Sequence, residues 1–196
     1  MKRKKIRCPW INASPLMMKY HDTEWGVPVF HDRKIFEFLV LEGMQAGLSW
    51  QVVLNKRENY RKAFHNFDPR KVARHTTKQI EAHLKNPGII RNRSKIRAAI
   101  NNAKRFIEIQ KEFGSFAKYI WQFVGRKPIQ HRIRSHRDYR ARDEISDALA
   151  KDLKMRGFKF VGSTIVYAHM QATGMVNDHM MSCFRWHEVG KLTRKL

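Results

Sequence analysis

The chain has 196 residues, with 40 Lys and Arg set against 17 Asp and Glu, for a formal net charge of +23. At 42 % hydrophobic and 11 % aromatic it carries enough apolar material for a core, which argues against a disordered basic tail, and no apolar run approaches the ~18 residues that span a bilayer. A surplus of positive charge this large answers to a polyanion, nucleic acid first among them.

The basic start, Lys2 to Lys5, has no apolar stretch behind it and does not read as a secretory signal. Two cysteines cannot frame a disulfide scaffold, so a reducing cytoplasm is expected. From there the apolar spacing is helical almost everywhere. Asp32 is placed to cap a helix whose inner face reads Ile35, Phe38, Leu39, Glu42 and Ala46. Ser49 can cap the next, with Trp50, Val53, Leu54, Tyr60 and Phe64 turned inward. Thr76 and Gln79 fit a capping box that opens a short helix to Leu84, and Asn86-Pro87-Gly88 is a turn. From Ser94 a long amphipathic helix follows through Ile96, Ala99, Ile100, Ala103, Phe106 and Ile107, stopped by Gly114. Ser115 starts another through Phe116, Tyr119, Ile120 and Phe123. Gly125 to Asp143 has no apolar period and sets seven cations against two aspartates, which predicts a long, exposed, basic loop. Ser146 then caps a helix ending at Gly157, and Ser163 to Thr173 forms one more. No period-2 strand of useful length and no repeat is present, so the expected class is all-α, in two helical lobes with a cleft between them.

Glu42 stands out because it falls on the apolar stripe, seven residues after Ile35 and three after Leu39. An unpaired carboxylate there costs several kcal/mol or takes up a proton, so it has a partner, does a job, or reaches solvent from the last turn near Gly43. Trp10, Tyr20, Trp25 and Trp50 lie in the flanking segments. Rings gathered round a carboxylate make a pocket for a flat, electron-poor guest, although aromatics also simply build cores.

Cys8, His21, His179 and Cys183 make a Cys₂His₂ set suited to tetrahedral Zn²⁺, with His179 and Cys183 at i, i+4 on one face if that stretch is helical. The spacing is not that of a zinc finger, and with ten His in the chain such a pair also arises by chance.

Longer words are more specific. Tyr20 to Pro28, Leu41 to Trp50, Lys56 to Tyr60, Arg156 to Gly162 and Val176 to His179 follow one another in an order that closely resembles the type I 3-methyladenine DNA glycosylases, from about Cys8 to Cys183. That resemblance implies a compact two-lobed helical bundle of the helix-hairpin-helix glycosylase type. Its single domain would cover 8–186, with a basic extension before it (1–7) and a basic tail after it (187–196). It implies one structural zinc ion on Cys8, His21, His179 and Cys183, joining the N- and C-terminal segments. The matching hairpin is Asn86 to Lys95, where a glycine turn at Gly88, a following helix N-terminus and Arg91, Arg93 and Lys95 suit a phosphate.

The activity implied is hydrolytic removal of 3-methyladenine from alkylated double-stranded DNA. Glu42 would be the catalytic carboxylate, accepting hydrogen bonds from the base edge, while Tyr20 and Trp50 sandwich its face and Trp10 and Trp25 wall the pocket. Cation–π attraction to the charged base is worth roughly 0.5–2 kcal/mol per ring, a bias that neutral adenine does not receive. Leu48, beside Gly47, would wedge into the gap left by the flipped nucleotide, unless it is an ordinary core leucine. Ser94 to Asn102 contains no Asp or Glu, as in this family, so hydrolysis would lean on the leaving group's own charge and no covalent lysine intermediate is expected. Met17 departs from the pattern, since relatives often have an aromatic there. The basic extension and Arg-rich loop would add nonspecific DNA affinity. A non-enzymatic DNA or RNA binder on the same scaffold, and a glycosylase for another alkylated purine, remain as rival readings. A monomer with no membrane attachment is expected.

Overall fold

The computed structural model describes residues 5–11 and 14–192, and Lys2 to Lys4 of the basic extension and the last four residues of the tail lie outside them. Ten α-helices are found among the described residues: α1 (Pro15–Thr23), α2 (Asp32–Gln45), α3 (Trp50–Ala63), α4 (Pro69–Val72), α5 (Thr77–Lys85), α6 (Arg93–Phe113), α7 (Phe116–Trp121), α8 (Glu144–Met155), α9 (Ser163–Ala172) and α10 (Phe184–Leu192). No described helix is long and apolar enough to cross a membrane. α10 continues through 187–192, part of the stretch expected to be a tail, and buries Val189.

α2 is the axle of the fold. Every residue from Ile35 to Met44 is buried, so the narrow inner stripe expected for it is too modest, and of the stripe's five residues Ala46 alone, just past the helix, is half-exposed. Asp32 does not cap its own helix. Its carboxylate accepts the backbone N–H groups of Phe116 and Ala117, both at 2.9 Å, and the Gln110 amide at 2.6 Å. The acid thus satisfies orphan donors at the start of α7 and ties it to α2. At the other end Lys95 donates from Nζ to the carbonyls of Met44 and Ala46.

The core behind α2 is aromatic. Phe36 meets Phe106 edge-on at 5.1 Å, and Phe106 stacks on Phe116 at 3.9 Å. Each such side chain contributes about 1.5–3 kcal/mol by leaving water. Local signals hold at the start of α3, which Ser49 caps through the Val52 N–H, and at α5, where Thr76 and Gln79 cap each other. Two boundaries shift. Asn92, not Ser94, caps α6, and Asp143 caps α8 with Ser146 as its reciprocal partner three residues on. On α6 it is Ile109 rather than Ile107 that completes the buried face.

The basic loop is the main departure. It is cationic and largely exposed, but it is not free. Ile129–Gln130 (β1) pairs in parallel with Val176–Asn177 (β2), and a further bridge joins Ile133 to Met180. Between α1 and α2 the chain turns tightly against the end of α9. Gly174 there has φ +70°, and a Cβ on it would lie 2.3 Å from the Val27 carbonyl carbon, so only glycine fits.

Candidate functional site

A cavity of about 300 Å³ opens where α1, α2, α3 and α9 meet, lined by Trp10, Met17, Tyr20, Trp25, Glu42, Trp50 and, from the basic loop, Tyr139 and Arg140. Every residue expected at a base pocket is therefore brought to one place. α2 delivers Glu42 from its last turn. α3 delivers Trp50 at its first position, and α1 delivers Met17 and Tyr20 one turn apart.

Glu42 is only 4 % exposed and has no hydrogen bond or ion pair among the described residues. Burial alone pushes its carboxyl up to about 8. The reading in which it reaches solvent is excluded. Tyr20 stands close enough that Glu42, after burial itself, helps raise its phenol well above the ordinary range. The indole N–H groups of Trp10 and Trp50 are buried with no acceptor among the described residues. Buried donors and a buried acid without partners are exceptional in a folded protein, and here they gather in one cavity.

Trp10 and Trp25 meet edge-to-face at 4.8 Å. Tyr20 and Trp50, however, are not parallel jaws. Their centroids are 5.4 Å apart at 53°, whereas a ring held between two others needs about 7 Å. The sandwich expected from the sequence requires Trp50 to swing, and its partial exposure at the helix start leaves room for that.

A second cavity of about 200 Å³ shares Glu42 and reaches Gly47 and Leu48. Leu48 is 41 % exposed at the corner between α2 and α3, so it is not a core leucine. Gly47 allows the corner with φ +75°. The acid thus lies between the aromatic hole and an apolar side chain at the surface.

The hairpin fares less well. The N–H of Gly88 donates to Asn86 Oδ1 at 2.8 Å, and that of Ile90 to the Tyr60 hydroxyl at 3.0 Å, so the glycine turn does not present free donors. Lys95 is buried on the carbonyls at the end of α2 rather than aimed at solvent. Arg93 is exposed but pairs with Glu81. Arg91 remains exposed without an ion pair among the described residues. Of the four hairpin residues expected to meet a phosphate, Arg91 and the first turn of α6 are the part still able to do so.

Cys8, His21, His179 and Cys183 are all buried, with ligand atoms within 4.8 Å of one another. His179 and Cys183 are not on a helix, contrary to the i, i+4 reading. They sit in the turn before α10, closed by the Cys183 N–H on the Met180 carbonyl. Cys183 Sγ lies 3.5 Å from His21 Nε2 and 3.6 Å from His179 Nδ1, and Cys8 Sγ lies 3.6 Å from His179 Nδ1. Zn–S bonds of about 2.3 Å and Zn–N bonds of about 2.0–2.1 Å put tetrahedral neighbours about 3.6 Å apart, so the donor set fits. The far nitrogens are also occupied: His21 Nδ1 meets Asp22 Oδ1 at 2.8 Å, and His179 Nε2 meets the Trp25 carbonyl at 3.0 Å. Each ring is thereby fixed with its lone pair toward the sulfurs. Arg7 clamps Asp22 in turn. The Cys8 thiol and then the two imidazoles hold Cys183 far below an ordinary thiol.

One buried feature carries no expectation from the sequence. Arg57 lies bidentate on Glu24 at 2.9 and 2.8 Å and donates to Glu37 at 2.8 Å, with Lys34 and Arg61 on the same carboxylates. The network locks α1, α2 and α3 behind Phe38. Arg57 falls three residues after Leu54 on the apolar stripe of α3, the same signal that singled out Glu42.

Fold and hole together define a helical protein with an aromatic-lined cavity closed on a lone buried carboxyl. The family model described as methyladenine glycosylase matches residues 10–186. A DNA-3-methyladenine glycosylase of Haemophilus influenzae is 48 % identical over 177 residues, 90 % of this chain and 96 % of that one. DNA-3-methyladenine glycosylase 1 of Escherichia coli is also 48 % identical, over 90 % and 95 %. A crystal structure of 3-methyladenine DNA glycosylase I superposes with a TM-score of 0.89 at 50 % identity, covering 91 % of this chain and 98 % of that one. The chain belongs to the methyladenine glycosylase family.

Proposed function

We propose that the chain removes 3-methyladenine from alkylated double-stranded DNA by hydrolysis, the first step of base excision repair. The observation that carries this is Glu42: a buried, unpartnered carboxyl lining an aromatic hole of about 300 Å³, with room for a single flat ring system. A cationic purine repays the desolvation that keeps this acid protonated in the free fold, and a neutral adenine does not. Trp50 and Tyr20 cover its face, and Leu48 fills the gap in the stack. The bond from C1′ to the base breaks with its electron pair going to the ring, which leaves neutral. Water then bonds C1′ and releases its proton to the surrounding solvent, so that the sugar and the free base are both left neutral. Glu42, ionised beside the cation, holds the base edge and moves no proton in this scheme.

Cys8, His21, His179 and Cys183 would hold a structural zinc ion, which supplies four strong bonds between chain ends and no open position for water. A helix-hairpin-helix reading of 86–95 rests on Arg91 and the start of α6 alone. The two thiols favour a reducing cytoplasm. The test is to incubate the protein with methylated DNA and identify what is released. Free 3-methyladenine, lost in Glu42→Gln and retained in Lys151→Ala, supports the reading. Binding of DNA with no base released makes the chain a binding module instead.

A further inference from the structure

The basic loop enters the base pocket, a role that its charge alone does not explain. Of its seven cations only Arg140 lines the cavity, and beside it Tyr139 adds a ring to the wall. Their position is built. The Ile129 N–H donates to the Met175 carbonyl at 2.9 Å and the Met181 N–H to the Ile133 carbonyl at 2.9 Å, so the loop is stitched to the segment that holds His179 and Cys183. His131 meets Asp178 at 2.6 Å, and the other oxygen of Asp178 takes Tyr167 and the cavity residue Gln171, both at 2.8 Å. Ser135 and Asp138 then cap a single turn that ends at Tyr139. That ring packs against the cluster of Cys8, Met17 and Tyr20, and its buried hydroxyl has no hydrogen-bond partner among the described residues.

Resting on the reading above, we propose that Tyr139 and Arg140 complete the substrate site: Tyr139 supplies the aromatic wall that Met17 lacks, and Arg140 binds a backbone phosphate beside the extruded nucleotide. Arg140 is exposed at the mouth and forms no ion pair among the described residues, whereas Arg142 of the same loop pairs with Asp147. A guanidinium is suited to a planar, bidentate hold on phosphate, and water screens it from the cationic base deeper in the hole.

The two roles separate experimentally, because free 3-methyladenine has no phosphate. Tyr139→Ala weakens binding of the free base, read by tryptophan fluorescence, by about tenfold, as for loss of one stacked ring, and Tyr139→Phe restores it. Arg140→Ala leaves free-base binding unchanged, raises the half-saturating enzyme concentration in single-turnover excision about tenfold, and lowers its log–log salt slope by about one. Arg140→Lys recovers part of the loss. Arg137→Ala, on the same loop but outside the cavity, is the control for charge alone. Equal effects of Arg137→Ala and Arg140→Ala overturn the phosphate role, and wild-type base affinity in Tyr139→Ala overturns the wall. If Tyr139→Ala does not fold, the Tyr139 ring resonances of the wild-type protein decide: they shift on adding free 3-methyladenine, and no shift refutes contact. A wild-type protein that releases no base removes the excision reading instead.

Discussion

Glutamine at position 42 is the most informative single change, because the carboxyl it replaces is penalised by burial and by nothing else. Burial moves that group from 4.5 to about 8. The folded chain therefore binds the proton more tightly than the unfolded one. Its stabilising contribution is complete below pH 4.5, declines as pH rises, and is fully lost above pH 8. At 1.36 kcal/mol per pH unit, the loss is below about 1 kcal/mol at pH 5, about 3 kcal/mol at pH 7 and about 5 kcal/mol at pH 9. Glutamine does not titrate, and whatever its buried amide costs is the same at every pH. The stability of Glu42→Gln relative to wild type should thus rise by about 4 kcal/mol between pH 5 and pH 9, which for a chain of this size is on the order of 10 °C in Tm. Thermal scans of both proteins at pH 5, 7 and 9 read this directly. A difference that stays flat across that range refutes a desolvated, unpartnered carboxylate and removes the physical basis of the pocket. A permanently cationic methylated purine should reverse the penalty, expelling a proton from Glu42 on binding near pH 7. Calorimetry in buffers of different ionisation enthalpy measures that proton.

Leu48→Ala should leave stability within about 0.5 kcal/mol, since the side chain is exposed, and leave free-base binding intact. It should slow excision from duplex DNA, and unchanged single-turnover rates on duplex would rule out the wedge. Metal analysis should find about one zinc ion per chain, and a chelator should lower Tm and disturb Trp25 fluorescence through His179. A metal-free protein with unaltered Tm removes the zinc. Gly174→Ala sets a Cβ 2.3 Å from backbone at Val27 and should cost several kcal/mol or abolish soluble expression, whereas Gly125→Ala, with a positive φ of +62° but open space around it, should cost only the backbone strain of about 1–2 kcal/mol. Urea unfolding of the two variants compares them.

Much of this was legible in one dimension. Helix starts at Ser49, Thr76 and Ser115 rest on short-range chemistry and stand as read. Glu42 was visible because a charge on a 3.6-residue apolar period is an anomaly that needs no partner to be noticed. Asp32 and Lys95 misled for a common reason: each satisfies backbone groups of a different helix, and no local pattern says which one. The basic loop was misjudged because a two-residue strand has no period to detect, and its pairing spans nearly fifty residues. The expectation of a free donor at the Gly88 turn failed on the Asn86 side chain, which accepts the Gly88 N–H. The two Cys and two His could be grouped by donor type alone, but it took the family resemblance to make them one zinc site, since their distances depend on both chain ends meeting.

The hold of Lys95 on Met44 and Ala46 has a mechanical consequence. The corner that carries Leu48 would otherwise hang from the frayed end of α2. Instead its last carbonyls are bolted to the first turn of the 21-residue α6, whose far end stays fixed to the start of α2 through Gln110 and Asp32. Force applied to the leucine tip is therefore transmitted along a strut through the middle of the molecule. Should Leu48 enter a base stack as proposed, it would press from a braced corner rather than a loose one.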